Sequence, residues 1–577
     1  MLRNLARVAF LIAIVCLQTK CAFAVSCSVV QHHAPSAADQ ALLAADYEKA
    51  AGLYKADLAG HPGDVELIAG VVHALLRQQK AQEAADFIQA SLAAAPNSAP
   101  LISLRGEVEY RQGTPWTANQ SAIESAKLDP CNARNHLLLA DLFRLSSMYA
   151  SSRKQIEAAH RLDPEDPDIR GEWIGTLSLK ERIAEAEAYL ASPNGKDEKE
   201  LRRWRLSLAN LEKMAAESRK ACHLVSPAAT TEIPFVKIMR DGTHVRGFGL
   251  DVALNSHRAH MLIDTGAGGI LVSRTVAEHA GLKPFSEAEM NGVGDQGSKP
   301  GYTAYADSIH IGDLEFQDCQ VSVLDSRSVI GDVDGLIGMN VFSQFMVTLD
   351  FPMRKLLLGP LPPRPGETAA AKPTLKTSDE ERDESDASAE TAKKPEPEKP
   401  DDKAAAPATA VPAAAAGTPA PVQQKPAHGP YDRYVAPEMK DYTAVYRVGH
   451  DLILPATLNG SKPKLFILDT GAWNTSISPE AAREVTKVHA DDRLHVHGIS
   501  GKVENVFLAD EITFRFAQLS QRERSVVAFD TSRVSKNENL EISGFIGATT
   551  LELLTIHIDY RDGLVKFDYD PNRGYKN

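Results

Sequence analysis

One pattern constrains this chain of 577 residues more than any other, because it occurs twice. Met261-Leu262-Ile263-Asp264-Thr265-Gly266-Ala267 and Phe466-Ile467-Leu468-Asp469-Thr470-Gly471-Ala472 each run three apolar residues into Asp-Thr-Gly-Ala. The flanks repeat in the same order. Leu254-Asn255 precedes one copy and Leu458-Asn459 the other; Gly292-Val293 follows one and Gly498-Ile499 the other. Further on, Asp334-Gly335-Leu336-Ile337-Gly338 is answered by Ser543-Gly544-Phe545-Ile546-Gly547. Asp350-Phe351 and Asp559-Tyr560 then stand twelve residues past the last glycine of each. A single Asp-Thr-Gly is expected about 0.1 times by chance in a chain this long, so two in one frame mean a duplicated unit. Short apolar runs punctuated by glycine, such as 248–254 and 345–351, mark the units as β. Two such units can bring two carboxyls together. Carboxyls that share a site resist ionising together, so one keeps its proton. The anion can then take a proton from a water, while the acid donates to a carbonyl under attack.

The duplicated frame resembles the aspartic protease superfamily, its retroviral-type branch most closely, over about residues 233–362 and 440–570. The resemblance implies Asp264 and Asp469 as the catalytic dyad, each on a loop after an apolar strand. Leu336-Ile337-Gly338 and Phe545-Ile546-Gly547 should then lie beneath those loops. It implies that Thr265 and Thr470 hydrogen-bond across the lobe interface, and that Gly266 and Gly471 let backbone amides approach the carboxylates. Segments 292–301 and 498–501 stand where the family has its flap, which makes Gly292, Val293, Gly294, Gly498 and Ile499 the flap candidates. Glycine-rich hairpin tips have the mobility a lid needs. Tyr302 and Tyr305 are near the position of the pepsin flap tyrosine but do not match it. Ala267 and Ala472 lack the hydroxyl that many pepsin-like enzymes carry there, so a mildly acidic optimum, about pH 4–6, is expected. Ser543, where the first copy has Asp334, is the one departure. It supports the rival expectation of a noncatalytic peptide-binding scaffold.

A second periodicity lies upstream. Pro62, Pro96, Pro130 and Pro164 recur every 34 residues. Twelve residues before each stand Ala50, Ala84, Ala118 and Ser152; twenty-four before stand Ala38, Val72, Gly106 and Ala140. Small residues let helices approach closely, and proline ends a helix. This resembles the tetratricopeptide repeat over residues 31 to 170, with 171–220 as a helical cap and with a protein partner or substrate as the implied ligand. Arg105 and Glu109 stand where apolar residues are expected.

The remainder sets the context. Lys and Arg number 63 against 76 Asp and Glu, a net −13, which excludes nucleic acid as the main partner. Arg3, Arg7, the apolar run 8–17 and Ala22-Phe23-Ala24 read as an export signal over residues 1–24. No other long apolar run exists to span a membrane. Ala24-Val25-Ser26 departs from a bacterial lipobox, so export without a lipid on Cys27 is expected. Cys27, Cys131, Cys222 and Cys319 remain, scattered rather than framed as a disulfide scaffold. His32-His33 is expected to be solvated and His495-x-His497 to lie on an exposed strand; no metal or cofactor is expected.

Residues 366–430 are a Pro/Ala/charged segment without Phe, Trp or Tyr, read as a disordered linker. About 65 flexible residues span roughly 45 Å, about one lobe diameter, so shortening them to about ten is expected to impair lobe pairing. The expectation is therefore multidomain. A signal (1–24) precedes an all-α, TPR-like repeat domain (31–220). An all-β, aspartic-protease-like double lobe follows (233–362 and 431–572), joined by a linker (363–430). The expected protein is a monomeric, exported endopeptidase acting on polypeptides.

Overall fold

A computed structural model describes residues 27–191, 198–216, 222–226, 230–239, 245–329, 333–365, 431–491 and 494–571. The expected signal and residues 366–430 of the expected linker lie outside the described residues. Eight helices alternate as antiparallel pairs: Ala37–Leu43 with Tyr47–Gly60, Val65–Arg77 with Ala81–Ala94, Ala99–Arg111 with Pro115–Leu128, and Ala133–Leu145 with Tyr149–Leu162. Each periodic proline falls two residues beyond the second helix of a pair. The small positions are where helices touch: Ala38, Ala50, Ala84, Ala118 and Ala140 are all wholly buried. A Cβ on Gly106 would come within 3.2 Å of Ser121 Cβ. Arg105 and Glu109 are tolerated because they pair with each other and with Ser121 and Glu124. Helices Pro167–Ile174, Leu179–Ala191 and Glu198–Ala216 complete the α region.

The polypeptide then becomes β. The first lobe holds a nine-stranded sheet and the second a ten-stranded one. Both use the same local topology. His257–Asp264 runs parallel to Gly335–Gly338, with Leu336 beside Leu262 and Gly338 beside Asp264. Lys464–Leu468 likewise runs parallel to Gly544–Ile546, with Phe545 beside Ile467. A six-stranded sheet joins the lobes: Phe345–Asp350 of the first pairs antiparallel with Thr555–Asp559 of the second, Val347 opposite Ile558.

Three expectations need correction. The segment leaving the first lobe and the one entering the second meet. The Arg364 guanidinium lies 4.5 Å from the Tyr431 ring centroid and bonds the fully buried Asp562 at 2.5 Å. The shared sheet puts exit and re-entry side by side, so nothing has to span a lobe. The four described cysteines are all paired, Cys27–Cys131 and Cys222–Cys319. Sequence separations of 104 and 97 hide both pairs from any spacing argument. His32 is not simply solvated: its Nε2 lies 2.6 Å from Asp163 Oδ1, beside the bond from Val30 N to Leu162 O that straps the N-terminal segment to the repeats.

The repeat domain is fixed to the second lobe. Tyr110, Leu138, Leu142 and Leu145 share one apolar cluster with Ile453, Leu465, Ile467 and Phe545. Glu541 N donates to Arg111 O, Tyr149 N to Tyr431 O, and Ser151 bonds Asp432 through both N and Oγ.

Candidate active site

An apolar strand buried on both faces delivers each aspartate to the lobe interface. The threonines that follow cross over. Thr265 N donates to Thr470 Oγ1 and Thr470 N to Thr265 Oγ1, each at 3.0 Å. Each hydroxyl then donates onward, Thr265 to Leu468 O at 2.6 Å and Thr470 to Ile263 O at 3.0 Å. Every polar atom of this four-bond exchange is buried, so the two loops have one register relative to each other.

The glycines next in line face the opposite aspartate. A Cβ on Gly266 would sit 2.9 Å from Asp469 Cγ, and one on Gly471 would overlap the Asp264 carboxyl. Gly266 N donates to Asp264 Oδ1 at 2.9 Å; Gly471 N and Ala472 N donate to Asp469 Oδ1 at 2.8 and 2.9 Å. Beneath the loops, Gly338 N bonds Gly269 O and Asp469 N bonds Ile546 O.

Asp264 and Asp469 therefore face each other across the two loops. Burial, then the charge of Asp469, push Asp264 well above the ordinary carboxylate range. Burial also raises Asp469, opposed by the amides of Ala472 and Gly471 and by the hydrogen bond from Asp264. Two buried carboxyls this close resist ionising together, so one keeps a proton while the other carries the charge. The pair therefore holds an acid and a base side by side.

All five flap candidates converge over the same interface. A Cβ on Gly292 would lie 2.9 Å from Ile499 Cβ, and one on Gly498 would lie 2.9 Å from Val293 Cβ. The wholly buried Ser500 ties the tips together: its N donates to Val293 O, its O accepts from Gln296 N, and its Oγ accepts from Gly292 N at 3.2 Å. The tips also exchange lobes. Ile499 packs with Leu262, Leu271 and Leu336 of the first lobe, while Val293 joins the cluster around Ile467 of the second. Arg533 Nη1 donates to the carbonyl of Gly294. Tyr302 and Tyr305 lie on the following strand, Lys299–Ile311, Tyr305 against Phe285. Ser543 and Asp334 play one backbone part, accepting from Ser478 N and Ser273 N respectively. The Asp334 side chain turns to His260 N, so the substitution stays out of the dyad. Among the described residues no three His, Cys, Asp or Glu side chains gather as a metal site.

Sequence reasoning missed a second acid group beside the dyad. Asp451 is 5 % exposed and lies 3.7 Å from His450 Nε2, which in turn is 3.2 Å from Gly266 O. Burial, then Asp469, push Asp451 well upward; burial, then Asp451, push Glu538 up to about 8. The signal was present: in register with the first lobe, Arg246-Gly247 stands where His450-Asp451 does.

The chain carries an aspartyl protease-like domain: residues 250–341, which include Asp264 and end just past Gly338, match the family described as aspartyl protease. Among solved structures, a thermophilic TPR protein of Thermus thermophilus is similar at 19 % identity. It covers 30 % of this chain and 95 % of its own, with a TM-score of 0.25. No curated protein matches the chain by sequence.

Proposed function

We propose that this chain is an exported aspartic endopeptidase whose two lobes pair within one molecule. The observation that carries the reading is the Asp264–Asp469 pair, buried, each carboxyl against the glycine of the opposite loop, and held by the crossed threonines. In this mechanism Asp469, the anion, takes a proton from a water between the carboxyls. The water oxygen attacks the scissile carbonyl, and Asp264 donates its proton to the carbonyl oxygen. The resulting gem-diol collapses as a proton passes to the leaving nitrogen. The amides of Gly471 and Ala472 hold the base without neutralising it. The flap tips cover the extended peptide and exclude bulk water.

Several observations support the rest of the reading. The six-stranded sheet and the meeting of Arg364 with Tyr431 favour pairing in cis and a monomer. Two disulfides suit an oxidising compartment, and Cys27 spends on one of them the sulfur that a lipid anchor would need. No described helix is long and apolar enough to cross a membrane. The repeat domain, fixed to the second lobe, would recruit a protein partner or substrate beside the cleft.

Purified protein should cleave an unfolded polypeptide or peptide library at about pH 4–6 and be inhibited by statine-type transition-state mimics. Tight binding of extended peptides with no cleavage at any pH would favour the noncatalytic scaffold instead.

A further inference from the structure

The flap of the first lobe is gripped by a helix of the second. Arg533 lies on helix Ser532–Glu538, and its Nη1 donates to Gly294 O at 2.5 Å. Around that bond the two tips form a seam. Asp295 N donates to Lys502 O at 3.1 Å, Gln296 N to Ser500 O at 2.9 Å, Ser500 N to Val293 O at 3.0 Å, and Glu504 N to Asp295 Oδ2 at 2.8 Å. The first lobe has no matching helix among its described residues. There the stretch between the corresponding strands runs 325–334; in the second lobe it runs 530–543, and the added length carries the helix.

The helix stands on the repeat domain. Leu540 N donates to Ser535 O, Ile542 N to Ser535 Oγ and Thr531 Oγ1 to Ile542 O, so the helix is tied to the segment that follows it. Leu540 and Ile542 are buried in the cluster of Tyr110, Leu142 and Leu145, and Glu541 N donates to Arg111 O at 3.1 Å. Gly113 marks this seat as built. Its φ is 69°, and the equivalent turns of the other repeats hold Ala45, Gln79 and Ser147 at φ 60°, 62° and 56°. The turn itself therefore accepts a side chain. What demands glycine at 113 is the carbonyl of Glu541, which a Cβ would approach to 2.6 Å. At the next turn the glycine belongs to the other partner: a Cβ on Gly563 would come within 2.5 Å of Ser147 Oγ.

We propose that helix Ser532–Glu538 is a strut from the repeat domain to the flap, and that Arg533 is the positioning residue that latches the flap shut in the resting molecule. This is regulation of the peptidase site proposed above and rests on that reading. With the latch made, Ile499 packs on the cluster of Leu262 and Leu336, and Val293 on that of Ile467 and Phe545. Leu262 and Ile467 stand two residues before the aspartates, so a peptide laid over the carboxyls must displace both tips. Only opened molecules admit it, and apparent affinity scales with the opened fraction. A protein that shifts the repeats against the second lobe moves Glu541, and with it the helix and Arg533, away from Gly294.

Amide exchange in the full chain reads the latch without turnover, because the amides of Asp295, Gln296 and Ser500 are bonded across the seam. Arg533→Ala should speed their exchange about tenfold and raise kcat/KM about three- to tenfold, with kcat within about twofold. Arg533→Lys, which keeps a cationic donor, should stay within about twofold of wild type in both. Gly113→Ala, which the turn accepts as it does at Ala45, should speed the same amides about threefold, while helix Val65–Arg77 and the Thr265 and Thr470 amides exchange as in the wild type. Flap exchange in Arg533→Ala equal to the wild type overturns the latch, as does faster exchange in an active enzyme whose kcat/KM does not rise. Unchanged flap exchange in folded Gly113→Ala, with exchange over 540–543 faster, overturns the strut. A wild type that cleaves nothing, with a flap that still loosens in Arg533→Ala, refutes the peptidase reading and upholds the latch.

Discussion

Thr470→Val is nearly isosteric, so its cost isolates the hydrogen bonds. In the folded protein Thr470 Oγ1 accepts from Thr265 N at 3.0 Å and donates to Ile263 O at 3.0 Å, and Thr470 is 5 % exposed. Valine fills the same volume, so no cavity term arises. The Thr265 amide loses its acceptor in a site closed to water, which costs about 1–3 kcal/mol, and the bond to Ile263 O contributes about 1 kcal/mol more. The expected destabilisation is therefore about 2–4 kcal/mol, read as the shift of the urea midpoint at constant m-value. Thr470 N and the amides on Asp469 are untouched, so the lobe itself should still fold. The two loops lose their shared register, and a displacement of about 1 Å between reacting groups should lower kcat about 10–100-fold. Thr265→Val should behave alike, because its bonds mirror those of Thr470. A Thr470→Val protein within about 0.5 kcal/mol of wild type, with unchanged kcat, would refute the claim that the threonine exchange sets the dyad.

Other outcomes follow from the same geometry. Replacing residues 366–430 by about ten Gly and Ser residues, which reach about 35 Å, should leave activity within about twofold, because Arg364 already touches Tyr431; loss of activity would show that the excised segment does more than connect. Gly471→Ala should fold yet be inactive, since its Cβ would overlap the Asp264 carboxyl; normal turnover would put that carboxyl elsewhere. Carboxyls raised by burial, Glu538 to about 8 and Glu552 to about 6, hold in the folded state a proton that the unfolded chain releases near about pH 4.3. Their contribution is fully present below that value and is lost as pH rises to about 8, so thermal stability should decline over this range. Glu538→Gln should flatten the decline, raising the Tm at pH 8 relative to wild type but not at pH 4; parallel Tm curves for the two proteins would contradict this.

What was legible in the sequence was whatever a local rule or an internal repeat could carry. The proline period located the helix pairs, because a helix end is written within a few residues of itself. The duplicated Asp-Thr-Gly frame brought Asp264, Asp469 and the flap residues forward, because two copies of one unit imply a pseudo-twofold site. Contacts between segments far apart in the sequence were harder to see. The pairings Cys27–Cys131 and Cys222–Cys319 close loops too long for spacing to reveal. The shared core of Tyr110 and Leu142 with Ile467 looked like ordinary helix and strand interior on each side. The segment 366–430 suggested a long reach, whereas the six-stranded sheet brings its ends together. His450 escaped because only the comparison of copies, Arg246-Gly247 against His450-Asp451, marks it.

The central claim is that Asp264 and Asp469 act as one unit with a single shared proton. Its most direct measurement is the single-turnover rate of peptide cleavage by Asp264→Asn, Asp469→Asn and the double variant at about pH 5, with folding checked by circular dichroism. Removing either half should abolish the shared-proton chemistry, so each single variant should fall by at least about 10³-fold and the double variant barely further. A single variant that keeps wild-type turnover, or two losses that simply add in free energy, would contradict it.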